Sequence, residues 1–101
     1  MAKIMDNTDK VMAEIERKSQ EKLETAALMV ERTAKQLAPV ETGTLRRSIT
    51  HKVTKNKAVV GSNVEYAPHI EMGTVKMAAQ PFLRPALMAN MARIKRLFTK
   101  G

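Results

Sequence analysis

The first 38 residues contain neither proline nor glycine, and all four prolines and all four glycines lie beyond them. Proline and glycine are the residues that most often stop regular structure, so this asymmetry predicts one long element followed by a turn-rich region. Met12, Ile15, Ser19, Leu23, Ala26, Val30, Ala34 and Leu37 step by three or four, the stripe of an amphipathic helix. Asn7 or Thr8 suits its N-cap, with Asp9 in the first turn. A helix over 8–37 is roughly 45 Å long at about 1.5 Å per residue. A domain of this size is only about 26 Å across. The N-terminal half carries the weaker stripe, with Ser19 on it and Lys18 and Lys22 beside it. That half is expected to project from the core and to need a partner, often a second copy.

Pro39 disfavours helical geometry at Ala38, so "APVETG" (38–43) ends the helix. Leu45, Ile49 and Val53 are four apart and fit helix and strand equally. The β-branched content of "SITHKVT" favours a turn at 44–47 and a strand over about 48–54. "KNK" turns the chain, and "AVVGS" (58–62) returns as the second strand of a hairpin. Pro68 opens and Gly73 stops a short helix over "APHIEM", with Ile70 and Met72 as its buried candidates. Residues 73–80 form a loop or short strand. The last element, 81–99, carries the stripe Leu83, Leu87, Met91, Ile94 and Phe98. Its regular helix is expected to start at Pro85, with 81–84 as the entry turn. Arg93, Lys95, Arg96 and Lys100 complement its C-terminal dipole. The prediction is a single α+β domain over 1–101: a long N-terminal helix, an antiparallel hairpin or small sheet, a short middle helix, and a basic C-terminal helix packed on the sheet.

Aromatics make up only 3% of the chain, so Leu, Ile, Val, Ala and eight methionines must build the core. The absence of cysteine excludes disulfides and thiolate metal sites. The opening segment is mixed and polar, and no apolar run approaches the roughly 20 residues of a membrane span. The chain therefore reads as soluble and made in the cytoplasm. Net charge is +8: residues 1–50 hold nine bases and eight acids, residues 51–101 nine bases and two acids. That excess favours polyanions or acidic protein surfaces, or a solvated basic face.

The unusual side chains gather in "VEYAPHIEMGT" (64–74), which holds the only tyrosine, Tyr66, with His69, Glu65 and Glu71. His69 and Glu71 are two apart and diverge on a helix, which argues against a metal site. Ser62 in "VGSNV" lacks the glycine-flanked elbow of serine hydrolases, and no glycine-rich phosphate loop exists. Contact between His51 in the strand and His69 in the short helix is permitted without being predicted. The expectation is therefore no enzyme activity, no cofactor, no metal and no small-molecule substrate. Scarce aromatics count against single-strand nucleic-acid binding, while backbone contacts to a duplex remain open through the basic C-terminal helix and the KNK tip.

Three stretches then become informative together: "APVETGTLRRSI" (38–49), "VGSNVEYAPHIEMGT" (60–74) and "AQPFLRPAL" (79–87). In order and spacing they resemble the signature blocks of a small tailed-phage virion family, the head–tail joining, tail completion or minor tail-component proteins of siphophages. The blocks and their connections cover about half the chain. The chain departs from the pattern at His69 and Met72, where the family often has an aromatic. The resemblance implies an α+β fold with helices on an antiparallel sheet. It also implies a non-enzymatic virion protein forming a ring, by analogy a hexamer, between the tail tube protein and the head-closure or connector proteins. Double-stranded DNA would pass through that ring. The implied location is the virion neck or tail, after assembly in the bacterial cytoplasm.

Within that frame the structural and interface candidates are Arg46, Arg47, Glu65, Tyr66, Glu71, Gly73, Phe82 and Leu83. Glu65 or Glu71 is expected to pair with Arg46 or Arg47, since these are the only acids of a basic half. The candidates for neighbour or channel contact are Lys55, Asn56 and Lys57 at the hairpin tip and Lys76 in the 74–80 loop. The alternative functions are a small basic architectural protein binding duplex DNA and a helical adaptor working through the N-terminal helix alone.

Overall fold

The computed structural model describes residues 2–6, 11–16, 20–39 and 43–99. Eight elements follow in order. They are β1 (Ala2–Asp6), β2 (Val11–Glu16), α1 (Gln20–Leu37), α2 (Thr44–Ser48), β3 (Thr50–Val53), β4 (Lys57–Ser62), α3 (Ala67–Met72) and α4 (Leu83–Thr99). The four strands form one antiparallel sheet in the order β1-β2-β4-β3.

The α+β class, the antiparallel hairpin, the short middle helix and the terminal helix are as the sequence predicts. The long helix is present and ends at Leu37 as expected, but it starts later. It begins at Gln20, is 18 residues long, and is preceded by two strands. At about 1.5 Å per residue it spans roughly 27 Å, which matches the domain. Thr8 and the predicted cap lie outside the described residues. "VMAEIE" satisfies a period of two as well as a period near four, and the tertiary partner decides. Ile15 pairs with Ala58 of β4, and both are buried. Ile15 is thus a core residue, as its place on the stripe indicated, but it enters the core from a strand.

The expected projecting half of the helix therefore does not exist. From Leu23 through Ala26, Ala27, Val30 and Ala34 to Ala38, the inner face of α1 is buried. It packs on β3 and β4 and alongside α4. A helical adaptor built on a free N-terminal helix has no counterpart in this arrangement. Leu37, the last residue of the expected stripe, is exposed, and Ala38 takes its place in the core. The Ala38 N–H still reaches the Ala34 carbonyl at 2.9 Å, and Pro39 then ends the run.

One face of the sheet carries the core. In β4, Ala58, Val60 and Ser62 are buried while Lys57, Val59 and Gly61 alternate to the open face. Phe82, just before α4, and Leu83, Ala86, Leu87 and Ile94 within it close the core. The predicted stripe of α4 holds, with Met91 and Phe98 partly buried at its flank. Asn90, buried in the same seam, donates to Thr33 Oγ1 of α1 at 2.9 Å and to the Ala86 carbonyl at 2.8 Å. Residues 44–47, expected as a turn, are the short helix α2, which begins after Gly43 at φ 72°. Leu45 and Ile49 are buried there as anchors.

Candidate functional site

Helix α4 opens on "QPFLRPA", with no Ser, Thr, Asp or Asn at its N-terminus. The first backbone N–H groups of a helix have no intrahelical acceptor. Here Glu71, at the end of α3, supplies it. Its Oε1 accepts the N–H of Phe82 at 3.0 Å and of Leu83 at 2.8 Å, and Oε2 accepts that of Arg84 at 3.0 Å. The next residue is Pro85, which has no N–H to satisfy. One carboxylate thus meets every donor of the first turn, and its charge faces the positive end of the helix dipole. This is why the helix starts at Leu83, two residues before the proline at which it was expected to begin.

Glu71 is therefore not the partner of an arginine. It is 3% exposed and fully used by α4. Among the described residues no ion pair joins Glu65 or Glu71 to Arg46 or Arg47. Glu65 is exposed. Arg46 donates its Nε–H to the Lys35 carbonyl at 3.0 Å, tying α2 to the end of α1. Arg47 lies against Gly43, where a Cβ would meet its guanidinium at 2.9 Å.

The same residues pin a protruding loop. Between α3 and α4, residues 74–81 are all exposed. Gly73, at φ 81° and ψ 171°, turns the chain out of α3, and its N–H bonds the His69 carbonyl at 2.8 Å. A Cβ there would sit 2.8 Å from the Ala79 nitrogen, so glycine is required for the two legs of the loop to approach. The Gln80 N–H closes the base on the Ile70 carbonyl at 2.8 Å, and Thr74 and Met77 bridge the legs. The result is an arm of fixed position whose tip shows apolar side chains to solvent. Val75 is fully exposed, and Met72 and Met77 are 46% and 36% exposed. Met72 is thus a surface residue at the end of α3, beside the arm, rather than the buried anchor expected, and the buried residues of α3 are Ala67, Pro68 and Glu71, with Ile70 partly covered. Tyr66 lies at the start of α3, 40% exposed. Phe82 and Leu83 are fully buried and act in the core, not at a surface.

The remaining candidates divide by exposure. Lys55 and Asn56 stand exposed at the hairpin tip, which is closed by the Thr54 N–H on the Lys57 carbonyl at 2.8 Å. Lys57 leans back to Glu14 of β2, with Nζ 3.6 Å from Oε2. Lys76 is exposed in the arm, and its N–H bonds Thr74 Oγ1 at 3.2 Å. Arg84, Arg93, Lys95 and Arg96 are exposed along α4.

His51 forms a cluster that the sequence did not point to. Its Nδ1 lies 2.6 Å from Glu31 Oε1, and its Nε2 lies 2.6 Å from Glu24 Oε1. Bonding to Glu31 first, and then to Glu24, holds the imidazole above its ordinary pKa against the opposing effect of burial. Burial pushes the Glu31 carboxyl up, but hydrogen bonds from His51 and Lys35 outweigh it and hold the group below its ordinary value. The carboxylates sit on opposite ring nitrogens, so they cannot converge on one cation. No group of three or more metal-ligating side chains exists among the described residues. His69 is exposed and far from this cluster in role, its carbonyl serving as the cap acceptor of α3. A shallow groove on the open side of β3 and β4, lined by Thr50, Lys52, Val59 and Gly61 among others, contains no carboxylate.

Comparison with protein families finds a match over residues 2–73 to the HK97-gp10-like family, described as "Bacteriophage HK97-gp10, putative tail-component". The chain belongs to this family. The HK97-gp10-like match spans β1 through α3 and ends at Gly73, where the chain leaves α3 for the arm. It contains the first of the three blocks and all of the second but Thr74, while the third, which runs from the arm into α4, lies beyond it. Membership makes the chain a structural phage protein of the tail-component class. No curated protein and no solved structure matches the chain. Among the described residues, no helix is long and apolar enough to cross a membrane.

Proposed function

We propose that the protein is a non-enzymatic subunit of a ring at the head–tail junction of a siphophage-like particle. The ring joins the tail tube protein to the head-closure or connector proteins and lets double-stranded DNA pass. By analogy with a sixfold tail tube it is a hexamer, assembled in the bacterial cytoplasm and retained in the virion. The observation that carries this reading is the arm. A tail component must bind other virion proteins, and residues 74–81 offer a rigid, low-charge, apolar projection with Val75 at full exposure. Exposed apolar side chains on a pre-ordered segment suit binding, because little conformational entropy is lost on contact. The arm in one subunit meeting a different surface in the next is the head-to-tail contact that closes a ring.

Negative-stain microscopy of the protein with and without tail tubes tests the proposal. Rings, or caps on the ends of tubes, are expected. A monomer that never associates with tubes or head-closure proteins would overturn it.

Duplex-DNA binding as the primary function is the second reading, favoured by Lys52, Lys55, Arg84, Arg93, Lys95 and Arg96, all exposed. Passing DNA should be held only through such non-specific backbone contacts, at roughly 10⁻⁴–10⁻⁶ M and weakening with salt. Much tighter duplex binding with a steep salt slope, and no rings, would select the architectural DNA-binding reading instead.

A further inference from the structure

Glu24 and Glu31 lie seven residues apart on α1, two turns along one face. Between them stands the ring of His51 from β3, an edge strand of only four residues. Each carboxylate takes one ring nitrogen at 2.6 Å. A neutral imidazole has a single N–H and can donate to one carboxylate only. The arrangement is fully bonded only for the imidazolium. Lys35 completes the cluster, with Nζ 3.2 Å from Glu31 Oε2. Two carboxylates, one imidazolium and one ammonium sum to zero, and losing the imidazolium proton leaves an excess negative charge beside a ring lone pair. From β4 the cross-strand neighbour of His51 is Val60, which is uncharged. Lys52, next to His51 in the strand, alternates to the open face.

We propose that Glu24, His51 and Glu31 form a proton-operated clasp that fixes the edge strand β3 to helix α1. Closed, the clasp holds β3 in place beside β4. When His51 loses a proton, one of the two carboxylates loses its donor, and only one hydrogen bond of the clasp still ties β3 to α1. The clasp is independent of where in a virion the protein acts.

The direction with pH follows from the two shifts. His51 is raised above 6.5, so its contribution is complete below that value and is lost as pH rises through the folded-state value. Glu31 is lowered below 4.5, so its contribution is complete above that value and is lost as pH falls through the folded-state value. Both contributions are complete together between 4.5 and 6.5.

The test compares the full chain with His51→Gln, Glu24→Gln and the control His69→Gln. Thermal stability is followed from about pH 5 to 9, the range in which histidines titrate, with ¹⁵N NMR of the imidazoles. The parent and His69→Gln should lose stability as pH rises through the His51 midpoint, and His51→Gln should not. Both ring nitrogens of His51 should stay protonated above the ordinary histidine range. Glu24 is mostly exposed, so Glu24→Gln folds, and it should move the His51 midpoint down. Hydrogen exchange at the β3 amides should quicken in the parent over the same interval, beyond its intrinsic pH dependence. Parallel stability profiles for the parent and His51→Gln, or a His51 midpoint at the ordinary value, would overturn the clasp.

Discussion

Glu71 Oε1 accepts the Leu83 N–H at 2.8 Å, so the last turn of α3 caps the first turn of α4 across the exposed arm between them. One side chain performs two tasks: it completes the start of a helix, and it fixes both ends of a surface loop.

Replacing Glu71 with alanine removes the acceptor for three N–H groups in a buried place. Loss of a cap and partial desolvation of those donors should lower stability by about 2–3 kcal/mol. For a domain of this length that is a fall in Tm of roughly 10–20 °C. Glu71→Gln keeps one acceptor oxygen and should lose about half as much. Calorimetry decides, and a Tm for Glu71→Ala close to the parent's would show that the cap contributes nothing.

Gly73→Ala should be harmful for a different reason. A Cβ at φ 81° is strained, and it would also sit 2.8 Å from the Ala79 nitrogen, a backbone atom that cannot step aside cheaply. The expected loss is about 1–3 kcal/mol. Because the legs of the arm must part, trypsin should cut faster after Lys76 in the variant. Equal cleavage rates would mean that the arm is not held by this close approach.

Val75→Asp separates surface from fold. The side chain is fully exposed, so denaturant unfolding should move by no more than about 0.5 kcal/mol. Association with tail tubes or with other copies should nevertheless fail. A variant that assembles normally would take the arm out of the interface.

Asn90→Ala should cost about 1–2 kcal/mol, since the amide bridges Thr33 of α1 and the Ala86 carbonyl within a buried seam. A cycle with Thr33→Val should give a coupling energy of about 0.5–1 kcal/mol, because the two side chains share a hydrogen bond. Strict additivity would place the value of Asn90 elsewhere in its contacts.

The sequence was most legible where punctuation and period agreed. Pro68 and Gly73 bracket α3 at its observed ends, and Leu83, Leu87 and Ile94 are core residues of α4 as their spacing implies. It misled where two periods overlap. Met12 and Ile15 extend the helical stripe of Leu23 and Ala26, yet Val11, Ala13 and Ile15 also alternate, and only pairing with the distant β4 selects the strand. Two strands lie in an opening that has no glycine or proline, so the absence of those residues carried less than it suggested. The Glu71 cap left a trace that was readable in principle: a helix opening with no capping side chain of its own needs an acceptor from elsewhere. The His51 clasp left only half a trace. Glu24 and Glu31 share a face by spacing, but nothing local says which strand will lie across it.

The central pairing of the sheet has a consequence for synthesis. Val11 meets Ser62 and Glu16 meets Lys57, so β2 and its inner neighbour are separated by α1, α2 and β3. A nascent chain can form the β1–β2 hairpin early, but that hairpin presents an open edge until about half the protein more has emerged from the ribosome. Long-range closure of this kind slows folding and leaves a strand edge available to other chains meanwhile. The same pairing that seals the finished core therefore makes the growing polypeptide dependent on prompt completion.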